Sequence, residues 1–424
     1  MIIEKYDAKS LIRTSKRCPH HIHLNIYQGC FHNCSYCDGK SDEYFMHDDY
    51  SNTIRAKINA PELLEKYLIN KGFLPINREK TNTLLDFMSH SNRKKISSDN
   101  PKFIINIFGN ICDVYQPAEA ELEITRKVLQ VAYDYGFPVR ILTKNALVLR
   151  DIDLIKKINQ DSFARVAFTI TLSNQQEQLI FEPNASSTSE RLSALKKFRE
   201  EGISAGGYIT PVIPWIGDKK TNLMKLFQQL KDARADFVIT GGLTLKPGRN
   251  KDDFLKIIGD YYPELLILYD ELYRNNSIYG QPDMEIWERY KLLNPIKHGY
   301  QMSKEYGLNF FEPRYIPEGT LRTNLEMSTI LSRIAFLMGE IYEESWQKAY
   351  EIREAAIELE NNPSDISQMK FDEILTLPFE KHVFRHIIEM LQTRRSSYLI
   401  KKEDNSQLFF INDDFFSKNS SSLR

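Results

Sequence analysis

The stretch Leu24-Asn25-Ile26-Tyr27-Gln28-Gly29-Cys30-Phe31-His32-Asn33-Cys34-Ser35-Tyr36-Cys37 decides how the rest of this chain is read. It continues an alternation that begins at His21. Ile22, Leu24 and Ile26 fall on one face, and His23, Asn25 and Tyr27 on the other. Such a period of two predicts a half-buried strand over 21–27. The strand runs directly into three cysteines spaced C-x3-C-x2-C, with an aromatic residue before the last. Thiolates this close on one tight loop can grip several irons of one cluster. Three protein ligands for a four-iron cube leave one iron open, just as a zinc site with three protein ligands keeps a working position. The same short spacing also admits zinc, with His20, His21 and His23 upstream as possible partners, although no second C-x-x-C exists.

Working outward, strand-like runs alternate with helix-like runs, which predicts a parallel α/β architecture. Further strands are expected at Phe103–Phe108, Val139–Thr143, Arg165–Leu172, Ile203–Ile209 and Asp236–Leu245. Helices are expected at Ala60–Lys71, Ala118–Tyr135, Asp151–Asn159, Thr188–Glu201 and Lys219–Arg234. Ser187 followed three residues later by Glu190 is a capping-box pattern. Six strand–helix units curve into a partial (β/α)6, TIM-like barrel, whose chemistry sits at the C-terminal ends of the strands. The cysteine loop follows the first strand and is expected on that face. Residues 77–102 are polar and without period, and read as an insertion.

The character of the chain changes near 318: 319–424 is expected to be a mostly helical C-terminal domain. Leu325–Asn361 reads as one long amphipathic helix with Ile330, Ile334, Leu337, Ile341 and Trp346 on its stripe. His382–Thr393 is another helix, and 398–411 reads as a hairpin. Arg394-Arg395 and Lys401-Lys402 suit either a nucleic-acid contact or plain packing.

The chain has 424 residues, with 56 Lys+Arg against 57 Asp+Glu. That balance gives no global pull toward nucleic acid, whose binding rests on a basic footprint. Five cysteines are a poor disulfide framework and fit a reducing compartment. Met1–Lys5 lacks a basic n-region followed by an apolar run, and no stretch is apolar enough to span a bilayer. A cytoplasmic protein with no membrane partner is expected.

Several segments then resemble one family in order along the chain. They are 24–30, Asp113-Val114-Tyr115-Gln116-Pro117, Ile141-Leu142-Thr143-Lys144 with Leu149-Arg150-Asp151, Phe181-Glu182-Pro183, Ser189-Glu190-Arg191-Leu192 and Pro211-Val212-Ile213-Pro214. With the cysteine loop they resemble the spore photoproduct lyase-like branch of the radical S-adenosylmethionine (SAM) superfamily. The resemblance runs from about residue 20 to about residue 290.

The resemblance implies a [4Fe-4S] cluster on Cys30, Cys34 and Cys37, with SAM as second cofactor and Tyr36 near its adenine. A surface aromatic is the alternative for Tyr36. Lys144 ends the third strand, where an ammonium suits the SAM carboxylate; a solvated loop lysine is the alternative. Thr171 and Ser173 end the fourth strand and carry hydroxyls suited to a ribose. Gly206 and Gly207 would let backbone approach a ligand, or else mark a bulge or barrel packing. Cys112 is a candidate hydrogen-atom donor in catalysis, since the lyases carry a cysteine in this region; a buried structural thiol is the alternative. The implied partners are an electron donor such as ferredoxin or flavodoxin and, as substrate, a nucleic-acid lesion. The rival from another class is a zinc-stabilised binding module.

Overall fold

A computed structural model describes residues 1–44, 46–76, 103–108, 112–317, 319 and 321–403. The expected insertion at 77–102 lies outside the described residues.

The chain is mixed α/β. Ten strands are described: β1 (Ile2–Tyr6), β2 (Ile12–Ser15), β3 (Cys18–Leu24), β4 (Tyr27–Gln28), β5 (Thr53–Lys57), β6 (Ile104–Ile107), β7 (Val139–Thr143), β8 (Ala164–Thr169), β9 (Ser204–Val212) and β10 (Val238–Gly242). Seven of them form one sheet in the order β10-β9-β8-β7-β6-β3-β2. From β3 to β10 every neighbouring pair is parallel. Sequential strands are therefore spatial neighbours. Parallel neighbours need a crossover between them, and helices supply it. All six C-terminal strand ends consequently lie along one rim. Strands such as β6 and β8 are buried along their whole length, as expected of a parallel sheet covered by helices.

The crossover helices are Ala60–Asn70, Ile124–Asp134, Ile152–Asp161, Thr188–Glu200 and Lys220–Asp232. In Ile124–Asp134 the buried residues Ile124, Val128, Leu129, Val131 and Ala132 follow the helical period. Ser187 and Glu190 form the capping box that starts Thr188–Glu200.

Several expected elements differ in detail. The first strand ends at Leu24, and Tyr27–Gln28 pairs antiparallel with β5 in a second, three-stranded sheet, β1-β5-β4. The helix expected over 118–135 breaks at Glu123, which sits at φ 52°. The side chain of Glu119 accepts the Thr125 amide at 3.0 Å and satisfies the restarted helix.

By contacts the described chain divides into two units. One takes in Met1–Arg13, 21–76 and Ile104–Pro313; the other takes in Thr14–His20 and 314–403. Within the second unit, Arg322–Phe336 and Trp346–Asn361 are separate helices joined through a π-turn at Leu337–Ile341. The single long helix expected there is thus interrupted. Glu343 takes a left-handed φ of 51°, and the Ser345 side chain caps the second helix by accepting the Lys348 amide. Trp346 starts that helix and is 60% exposed, off the apolar stripe. The hairpin expected at 398–411 is also not formed in its described part, because Ser397–Lys402 is helical. Ser396 caps it, accepting the Leu399 amide at 3.3 Å, while 404–411 lie outside the described residues. Among the described residues no helix is long and apolar enough to cross a membrane.

Candidate active site

The cysteine loop is shaped by backbone constraints at its start. Gly29 has φ 82°, and a Cβ there would collide with the Thr53 and Tyr50 carbonyl oxygens. Only glycine satisfies both conditions. The Cys30 amide then donates to Tyr50 O at 2.9 Å. Asn33 takes a left-handed φ of 51°, which asparagine tolerates better than most residues. Gln116 clamps the turn from the β6 side. Its Nε2 donates to Gly29 O and its Oε1 accepts the Phe31 amide, both at 2.9 Å.

The other side of the loop is held by a buried charge. Tyr36 donates its hydroxyl to Glu182, and Arg191 pairs with the same carboxylate. Both Glu182 and Arg191 have fully buried side chains. Burial opposes ionisation of Glu182, but Arg191 and then Lys144 outweigh it and hold the carboxyl below its ordinary range. Arg191 also donates to Thr169 O and Ser186 O, both at 2.7 Å, so it joins the end of β8 to the loop.

A cavity of about 380 Å³ opens at the C-terminal rim of the sheet. The loop contributes Cys30, Cys34, Tyr36 and Cys37; the strand ends contribute Phe108, Leu142, Lys144, Thr169, Thr210 and Gly242. Cys112 and Asp113 line it as well. The three loop thiols, Tyr36, Lys144 and Cys112 therefore line one cavity.

Lys144 lies with its Nζ 5.6 Å from the Tyr36 ring centroid. Burial pulls its pKa down, but Cys34, Glu182, Cys37 and Asp113 more than offset this, and the ammonium is favoured. Asp113 is ionised although buried. Burial pushes its carboxyl up, but His32 and bonds from the Lys144 amide and Thr143 hydroxyl bring it to about 2. Those two bonds are 2.6 and 2.7 Å. Burial pushes the Cys34 and Cys112 thiols up to about 12, and Cys30 well up too. Lone thiolates are thus unfavourable here, whereas a coordinated metal deprotonates a thiol outright. Tyr50 bridges the two cysteine positions, with its hydroxyl 3.7 Å from Cys37 Sγ and 4.0 Å from Cys112 Sγ. Among the described residues no three His, Cys, Asp or Glu side chains are grouped to hold a single metal ion.

Four expected cofactor contacts are not part of this cavity lining. Thr171 is 1% exposed, and its hydroxyl donates to Glu182 at 3.0 Å, so it supports the Tyr36 anchor instead. Ser173 lies beyond the rim, with its amide bonded to Asn222 Oδ1 at 2.8 Å. A Cβ on Gly206 would strike Phe237, and one on Gly207 would strike Leu230. Both glycines answer to packing of the neighbouring strand and helix. Conversely, His32, Asp113 and Thr210 line the cavity without having been singled out. Asp113 stood inside a segment already quoted, directly after Cys112, and was the legible signal among them.

No protein-family model matches the chain. It is 25% identical over 271 residues to an uncharacterized protein of Mycobacterium tuberculosis, covering 63% of this chain and 71% of that protein. It is 28% identical over 215 residues to an uncharacterized protein of Methanocaldococcus jannaschii, covering 50% and 68%. Among solved structures it is similar to spore photoproduct lyase complexed with dinucleoside spore photoproduct, at 16% identity and a TM-score of 0.47, covering 72% of this chain and 79% of that one. A mutant of the same lyase matches at 17% and 0.42, covering 62% of this chain and 66% of its own.

The buried anchor makes a direct prediction. Arg191→Met leaves Glu182 charged and unpaired in the interior, which should cost about 3–5 kcal/mol in urea unfolding. A loss within experimental error of zero contradicts the anchor.

Proposed function

We propose that this protein is a radical SAM enzyme, with Cys30, Cys34 and Cys37 holding a [4Fe-4S] cluster and SAM occupying the adjoining cavity. The observation that carries the reading is the donor set. Three thiols from one loop line the same cavity as the half-buried Lys144 ammonium, at the C-terminal rim of a parallel sheet. The donor chemistry fits a cluster, which takes cysteine thiolates. When bound, cluster and SAM together supply one-electron cleavage of the sulfonium, giving a 5′-deoxyadenosyl radical that abstracts hydrogen from an unactivated carbon.

The chain's own residues do the rest. Lys144 offers its ammonium to the SAM carboxylate, a charge-assisted contact. Asp113 fixes the backbone of Lys144 by accepting its amide. Tyr36, pinned by Glu182, presents its ring on the cavity wall, where it suits the adenine. Cys112 is the proposed hydrogen donor to the product radical. It lines the cavity, and its high thiol pKa, due first to burial, keeps the hydrogen on sulfur. The electron comes from an outside donor such as ferredoxin or flavodoxin. A nucleic-acid lesion is the substrate that accompanies the family resemblance, and the even charge of 56 Lys+Arg and 57 Asp+Glu neither draws nor repels such a polyanion as a whole.

The test is anaerobic reconstitution with iron and sulfide, then reduction with SAM in the absence of substrate. 5′-Deoxyadenosine should form, and Cys34→Ala should abolish both the reducible cluster and the product. A colourless, zinc-loaded protein making no 5′-deoxyadenosine would sink the reading. In a cluster-loaded background, Lys144→Ala should weaken SAM binding by about 1.5–3 kcal/mol. Unchanged affinity by calorimetry rejects the role of Lys144.

A further inference from the structure

The cysteine loop has a third hold, made with the helix Arg249–Tyr261 that follows β10. Asn250, the second residue of that helix, is fully buried. Its Nδ2 donates to Cys37 O at 3.0 Å, and its Oδ1 accepts the Lys246 amide at 2.7 Å. The Lys40 amide donates to the same Cys37 O at 3.1 Å. The carbonyl of the third cysteine therefore takes two donors, one from its own turn and one from the helix.

Lys40 ends the short turn Asp38–Lys40, and its side chain reaches back to the start of the loop. Nζ donates to Asn33 Oδ1 at 2.9 Å and to Asp253 Oδ2 at 2.8 Å. Asn33 is the left-handed residue between Cys30 and Cys34, and it lines the cavity. The Ser51 hydroxyl donates to the same Asn33 Oδ1 at 2.7 Å. One ammonium thus ties the turn between the first two cysteines to the turn after the third, and both to the helix.

The two charges of this pair are not equally screened. The Lys40 side chain is 6% exposed and that of Asp253 is 49% exposed. Lysine is almost never so deeply buried without a partner, and a buried pair gains little stability over an apolar replacement. Water screens the half-exposed carboxylate far more than the buried ammonium. Toward the loop, the pair therefore presents positive charge.

We propose that Lys40 is a positioning residue of the cysteine loop whose charge raises the reduction potential of the cluster held there. The role rests on the function proposed above. Reduction adds one electron, from the outside donor, to a group already carrying three thiolates. The potential of such a cluster follows its net charge and its exposure to solvent. A fixed cation in the interior favours the more negative, reduced state. Lys40 and Lys144 divide the work: Lys144 lines the cavity and faces SAM, whereas the Lys40 ammonium is engaged by Asn33 and Asp253.

The experiment is a potentiometric titration of the reconstituted full chain without SAM, followed by the electron paramagnetic resonance of the reduced cluster. Lys40→Met keeps the length of the side chain and removes its charge. It leaves Asn33 Oδ1 bonded to Ser51 and Asp253 open to water, so no buried charge is stranded. Its potential should fall below that of the wild type. Asp253→Asn keeps an acceptor for Lys40 and removes the opposing charge, so its potential should rise. Lys40→Arg should stay close to the wild type. A brace without electrostatic effect would act on Lys40→Met and Asp253→Asn alike. An unchanged potential in Lys40→Met, shifts of the same sign in the two variants, or a Lys40→Arg potential as low as that of Lys40→Met overturns the role. If Lys40→Met takes up no cluster, an Asp253→Asn potential that is not above the wild type overturns it equally. A wild-type chain that forms no reducible cluster overturns the proposed function and this role with it. A wild-type cluster whose potential ignores both variants overturns this role alone.

Discussion

A carboxylate with no exposed surface, Glu182, is the constraint on which the site depends. It accepts from Tyr36 on the cysteine loop and from Thr171 beyond β8, and it pairs with the equally buried Arg191. A buried ion pair is weak evidence for stability in itself, since desolvating two charges offsets much of their attraction. Its effect here is positional. If the loop bearing three thiols left the end of β8, Glu182 would lose the Tyr36 hydroxyl bond that it accepts. Gly29 fixes the other end of the loop against β5 by steric exclusion. Between these two anchors the thiols face a cavity rather than solvent.

The sheet supplies the second half of the geometry. Because β3 to β10 run parallel in sequential order, Lys144 at the end of β7 and Thr169 at the end of β8 reach the same rim as the residues after β6. Residues far apart in sequence thereby surround one volume.

Much of this was legible in the sequence, and the failures have physical causes. Strand-like runs alternating with helix-like runs marked the parallel strands, and Val139–Thr143 matches at both ends. Cysteine spacing singled out the loop, and Lys144 was readable from its place at a strand end. Thr171 misled because a hydroxyl near a strand end is equally suited to a buried carboxylate that lies eleven residues on. Gly206 and Gly207 misled because a missing side chain admits a neighbouring element as readily as a ligand. The long C-terminal helix failed for a different reason: apolar periodicity continued through a region where the backbone turns, at the π-turn and at Glu343. Asp113 was overlooked because its importance lies in the Lys144 amide and Thr143 hydroxyl it accepts, partners visible only after folding.

The central claim is that one iron of a cluster held by Cys30, Cys34 and Cys37 is open to SAM within the rim cavity. Electron paramagnetic resonance of the reduced, reconstituted full chain tests it most directly, recorded with and without SAM. The account predicts a cluster signal that SAM shifts in wild-type protein and shifts less at equal SAM concentration in Lys144→Ala. A cluster signal identical with and without saturating SAM, or no cluster signal at all, would contradict it.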